Sequence, residues 1–366
     1  KPDYWQSFYS GALEVAEERL APGNLTAPGN LTAPGNLTAP GRVSPPSKYR
    51  VELDAEVEPS QFGAREGGGR HAVPLQGAVA FIDGVRRIDL HAMVEDLPPH
   101  IGLFGSVATG AMVMEDGRST LQEALRHVQV SRLFLTNAPD PAEKFISCPA
   151  TSALLGSLRY EVRVVKSGEP QSFNNALMNR MAELEADTSA RLSREEGVAM
   201  VISDGPIPFE RSAEREGGKL VGLIKSVREL YLPKEQLPVL AGLRLGERSH
   251  LFAIRYEDAR TSKLSCFVRL QGVSAFVSSF ANLVRLEIPL MARSQAVSLA
   301  DSAAAVAVHY ASNVYADSRA PQNLYPVAAL EAALKNRLGD PRLLRNRLLA
   351  MLGQGGTEQK SVSKER

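Results

Sequence analysis

Residues 198–205 read VAMVISDG. The run Val198–Ile202 is apolar throughout and ends in Ser203, Asp204 and Gly205. Such a run, without polar alternation, suits a strand buried on both faces. The stretch before it sets the class. From Ser172 to about Glu196, Phe173, Leu177, Met181, Leu184, Thr188 and Leu192 recur every three or four residues, the period of a helix with one apolar face. Glu196-Gly197 supplies a stop signal. A long helix leading straight into a buried strand predicts an α/β domain.

Upstream, the pattern is that of strands. Val73–Asp83 is followed at once by Val85–Val94, with Asp83-Gly84 between them, which reads as a hairpin closed by an Asp-Gly turn. Leu103–Met114, Gln129–Leu135 and Tyr160–Val165 continue the series. Downstream, strands are expected at Leu220–Ile224, Leu251–Tyr256, Leu264–Leu270 and Val284–Ile288, then helices at Ser294–Val314, Val327–Leu338 and Pro341–Leu352.

Four segments follow. Residues 1–20 have helical spacing. Residues 21–50 hold the hexapeptide APGNLT, starting at Ala21, Ala27 and Ala33; Pro and Gly in every unit make it a flexible linker. Residues 51–352 form one continuous domain, and 353–366 a polar tail that reads as disordered.

Composition narrows the class. The 366 residues are 44% hydrophobic and 23% charged with a net charge of +1, so a nucleic-acid surface would have to be a local patch. Cys148 and Cys266 are too few for a disulfide framework, and no CxxC suggests zinc. No apolar run approaches the ~20 residues that cross a bilayer, and the chain reads as soluble and cytoplasmic. No Walker-type phosphate loop and no GxSxG occurs, which sets aside a motor ATPase and a serine hydrolase.

Chemistry centres on carboxylates. AFID ending at Asp83 and VISD ending at Asp204 each close an apolar run before glycine. Aspartates at the ends of neighbouring strands face the crevice where ligands bind in open α/β sheets and could bracket a divalent cation. Oxygen ligands favour Mg²⁺ or Mn²⁺ over zinc. The preceding helix adds acids: relative to Leu177, Glu185 falls about 80° to one side, with Glu183 and Asp187 about 120° and 80° to the other. All three stay open on geometry alone.

Ordered blocks resemble the NurA nucleases: Asp83-Gly84, Met181–Glu185, Asp204–Ile207, Val221–Ser226, Phe267–Leu270, Val284–Pro289 and Ala320–Pro326. The resemblance, over about Ala78 to Leu352, implies an RNase H-like core with a mixed central sheet, added β-strands and C-terminal helices. It implies metal-dependent cleavage of DNA, with Asp83, Glu185 and Asp204 holding Mn²⁺ or Mg²⁺, and Lys225 and Tyr325 as further catalytic residues. Arg269, Arg285 and Arg319 would touch the DNA backbone, and the basic run Lys335, Arg337, Arg342, Arg345 and Arg347 is a candidate DNA or partner surface. It further implies a 5′-to-3′ exonuclease with single-strand endonuclease activity on single- and double-stranded ends. Such a protein works in recombinational repair as a homodimer with a HerA-type hexameric ATPase; the alternative is a non-catalytic DNA-binding or scaffold subunit of that complex. One departure stands out. Many members carry a metal-site histidine eight residues after the tyrosine, and that count lands on Ala333; His309, upstream, reads as packed or DNA-contacting.

Overall fold

The structure is a computed structural model that describes residues 49–66, 77–94, 100–115, 121–150, 156–207, 218–225, 230–256, 262–273, 278–313 and 320–362. The N-terminal segment and the repeat fall outside the described residues. The strands are β1 (Tyr49–Glu52), β2 (Ala64–Glu66), β3 (Ala78–Val94), β4 (His100–Met114), β5 (Leu125–Thr136), β6 (Phe145–Cys148), β7 (Leu158–Val164), β8 (Val198–Asp204), β9 (Leu220–Ile224), β10 (Glu247–Ser249), β11 (Phe252–Tyr256), β12 (Lys263–Arg269) and β13 (Leu283–Pro289). The helices are α1 (Leu121–Ala124), α2 (Pro170–Leu192), α3 (Leu237–Gly242), α4 (Arg293–His309), α5 (Tyr325–Leu338) and α6 (Pro341–Val362). The last runs beyond the domain end expected at Leu352.

All strands join one mixed sheet in the order β1-β11-β12-β13-β9-β8-β3-β4-β5-β7-β6, with β10 bridging β12 and β2. At its centre β3, β8 and β9 run parallel, and β8 is the expected buried strand. Helix α2 feeds it, burying Phe173, Leu177, Leu184 and Leu192, and stops at Leu192, before the Gly197 expected to end it. Helices α2 and α5 both pack on β3 and β4. They do so from opposite sides: Leu177 clusters with Leu103 and Val107, whereas Val327, Leu330 and Leu334 cluster with Phe81, Val85 and Ala108. Layers on both faces explain why β4 is buried over nearly its whole length.

The hairpin expected at Asp83-Gly84 does not form. Strand β3 runs straight through it as a single element of 17 residues and pairs antiparallel with β4 along that length. Gly84 serves a different purpose: a Cβ there would stand 2.7 Å from Glu185 Oε1, so glycine lets α2 approach the strand closely.

A β-bulge sets Asp89 between Ile88 and Leu90. Its buried carboxylate takes the Arg87 Nε–H at 2.8 Å, the Ser106 hydroxyl and the Tyr160 hydroxyl at 3.3 Å, with Arg132 within 3.9 Å. The two guanidinium groups in turn donate to the end of α5. Arg87 reaches the carbonyls of Gly339 at 2.7 Å and Leu338 at 3.2 Å, and Arg132 reaches Leu338 at 3.1 Å. Carbonyls at a helix C-terminus lack intrahelical partners and favour cations, so this clamp pins α5 to the sheet. Asp89→Ala strands two arginines over that end; we expect a loss of about 3–5 kcal/mol in unfolding free energy, read by urea denaturation, and a loss under about 1 kcal/mol would refute the clamp.

Candidate metal-binding active site

Strand register brings the two aspartates level. Ile82 lies opposite Ser203 in the parallel β3–β8 pair, so Asp83 and Asp204 come side by side where β8 ends and β3 continues. In the next parallel pair Asp204 lies opposite Leu223, and Lys225 follows two residues on. Three neighbouring strands thus deliver two carboxylates and one ammonium to the same end of the sheet, the end at which α/β proteins bind ligands. Asp83 is in phase with Phe81 and Val85 and shares their side of the sheet, the side covered by α5.

That side supplies a third carboxylate. One oxygen each from Asp83, Asp204 and Glu331 of α5 lies within 4.8 Å of the others. Lys225 Nζ donates to Asp204 Oδ2 at 2.7 Å and to Asn323 Oδ1 at 2.7 Å. Lys335 Nζ lies 3.2 Å from Glu331 Oε2. Asp83 is only 8% exposed, and among the described residues its one hydrogen bond comes from the Gly84 amide at 2.8 Å. Burial first, then the charges of Asp204 and Glu185, push its carboxyl well above the usual carboxylate range.

Of the three acids open on α2, Glu185 is the buried one, and its Oε1 stands over Gly84. Glu183 is half exposed and paired with Arg180 at 2.9 Å and Arg163 at 3.7 Å. Asp187 is partly exposed. Glu185 is close enough to act on Asp83, but it is not one of the three residues whose oxygens converge.

The loop carrying Asp204 is held by devices on its neighbours. Gly205 has φ +113°, a conformation side chains rarely adopt, and its N–H reaches Leu223 O at 2.8 Å. A Cβ on Gly222 would lie 2.8 Å from Gly205 O and 2.9 Å from Ile207 N. Glu287 on β13, fully buried, accepts the Ile207 N–H at 3.2 Å. Burial alone would raise the Glu287 carboxyl; Arg285 at 2.8 Å and Lys263 at 2.5 Å more than offset this and hold it below the usual range.

The donor set fits a hard divalent cation: carboxylate oxygens converge and the most buried of them has no ion pair among the described residues. A family model for the NurA domain matches residues 77–333. The chain belongs to the NurA family. Members of the NurA family are metal-dependent nucleases that act on DNA. No curated protein matches the chain.

The NurA site as built differs from the sequence expectation in several residues. Arg269 and Arg285 are not surface groups. Arg269 is fully buried and donates to the carbonyls of Leu240 at 2.9 Å, Ser279 at 2.6 Å and Leu243 at 3.2 Å, and Arg285 is spent on Glu287. Arg347 is likewise buried, on the carbonyls of Pro149 and Gly156. Arg319 lies outside the described residues. Lys335, Arg337, Arg342 and Arg345 are exposed, as is His309 at the end of α4. Tyr325 is 43% exposed at the start of α5, about 9 Å along the helix axis from Glu331, and its oxygen accepts the Asn313 N–H at 3.3 Å. Glu331, Asn323 and Glu287 were missed. Glu331 could have been flagged as the single acid in the apolar run YPVAALEAAL.

The raised Asp83 carboxyl has a stability consequence. Between about pH 4, where an unfolded Asp titrates, and its higher folded value, the native state holds a proton the unfolded chain lacks. Metal-free stability therefore falls as pH rises through that window. Asp83→Asn removes the repulsion, so without metal it should unfold at least about 2 °C above wild type near pH 8, with the gap closing toward pH 4. Equal midpoints near pH 8 would refute the like-charge account.

Proposed function

We propose that this chain is a divalent-metal-dependent deoxyribonuclease, with Asp83, Glu185 and Asp204 holding Mn²⁺ or Mg²⁺ on an RNase H-like core. The level pair of aspartates where β8 ends beside β3, inside the NurA match, carries this reading. A bound divalent ion supplies charge neutralisation at the phosphate and acidifies the attacking water. The chain's own residues do the rest. Lys225, steadied by Asp204 and Asn323, is placed to donate to a phosphate oxygen as negative charge develops. Tyr325 offers an exposed ring on which a base can stack. Lys335, Arg337, Arg342 and Arg345, exposed on α5 and α6, form the local basic patch that a near-neutral chain needs to hold DNA.

The substrate proposed is single- and double-stranded DNA ends, cut as a 5′-to-3′ exonuclease with single-strand endonuclease activity in recombinational repair. The working assembly proposed is a cytoplasmic homodimer partnered by a HerA-type hexameric ATPase. None of the described helices is long and apolar enough to cross a membrane.

End-labelled DNA incubated with Mn²⁺ tests the reading. We expect degradation by the wild type that chelator abolishes and that Asp204→Ala lowers by about 100-fold or more; the product ladder gives polarity. Retained DNA binding with no cleavage, with or without the motor, would replace the enzyme by the scaffold subunit.

A further inference from the structure

We propose that Glu331 is a metal ligand in this chain, closing an all-oxygen set with Asp83 and Asp204. The inference rests on the nuclease reading and adds a residue and a metal preference to it. Position 333, where the family count puts the histidine, lies about 200° around α5 from position 331. Both cannot face the aspartates. The phase of α5 is fixed by burial of Val327, Leu330, Leu334 and Leu338 and by the Arg87 and Arg132 clamp on its last carbonyls. With that phase, the group within 4.8 Å of both aspartates is the Glu331 carboxylate.

Two observations point to a cation there. Asp83 is nine-tenths buried beside two other carboxylates and, among the described residues, has only the Gly84 amide as a hydrogen-bond partner. The ammonium on Glu331 comes from Lys335, whose side chain is 63% exposed, so it can swing into water as a metal arrives. Imidazole nitrogen suits zinc, nickel and copper, whereas carboxylate oxygen suits Mg²⁺ and Mn²⁺. A carboxylate at position 331 therefore biases the site toward the harder ions.

Mn²⁺ binding to the full chain, followed by titration calorimetry without DNA, tests this. Glu331→Gln should weaken binding about tenfold or more, while Glu183→Gln binds like wild type. Glu331→His should raise the ratio of Zn²⁺ to Mg²⁺ affinity. Metal-free unfolding midpoints establish that each variant is folded, and should Glu331→Gln be unfolded, the Glu331→His ratio decides. Wild-type affinity in Glu331→Gln, with binding lost in Asp204→Asn, overturns the Glu331 assignment and leaves the metal nuclease standing. Failure of the wild type to bind Mn²⁺ overturns both.

Discussion

Everything at the site follows from the parallel register of β3 and β8. Once Ile82 lies opposite Ser203, two aspartates must stand side by side at the end of a buried sheet, and α5 sets Glu331 against them. Like charges held this close in a low-dielectric setting repel, and the sheet leaves Asp83 nowhere to go. The surrounding structure is organised to tolerate that repulsion. Gly205, Gly222 and Glu287 keep the Asp204 loop folded back on β9, and Lys225 supplies charge of the opposite sign. A site that works against stability in this way is the usual cost of preorganised charge.

The anchoring extends away from the site. Asp89 occupies a bulge on the same strand that carries Asp83, and through Arg87 and Arg132 it fixes the end of the helix that carries Glu331. One strand therefore sets two of the three carboxylates, one directly and one through the opposite end of a helix.

How much of this could be read in the sequence depended on whether the signal was local. Strand β8 and helix α2 were legible because a continuous apolar run and a 3.6-residue stripe each have one good structural explanation. Of the two Asp-Gly endings, Asp204-Gly205 does close a strand, whereas Asp83-Gly84 was misread as a turn. Asp-Gly is a common turn dipeptide, yet here glycine answers to the approach of α2, which no local pattern reveals. The arginines failed for a related reason. Arg269 and Arg285 sit on strands whose residues are all buried; the carbonyls that satisfy Arg269 come from other segments, and Arg285 pairs with Glu287, two residues on along its own strand. A buried guanidinium looks, in sequence, like one facing water.

The third carboxylate shows the same limit from another side. Counting from Tyr325 tests for a residue type at a fixed offset, and Ala333 fails that test. The helix tests instead for phase, and phase admits Glu331. Charge makes the assignment coherent. If all are ionised, Asp83, Glu185, Asp204 and Glu331 set four negative charges against the one of Lys225 once Lys335 has swung into water, and a divalent ion removes most of the remainder. The Glu331 carboxylate answers the cation's charge with oxygen, the donor that suits Mg²⁺ and Mn²⁺.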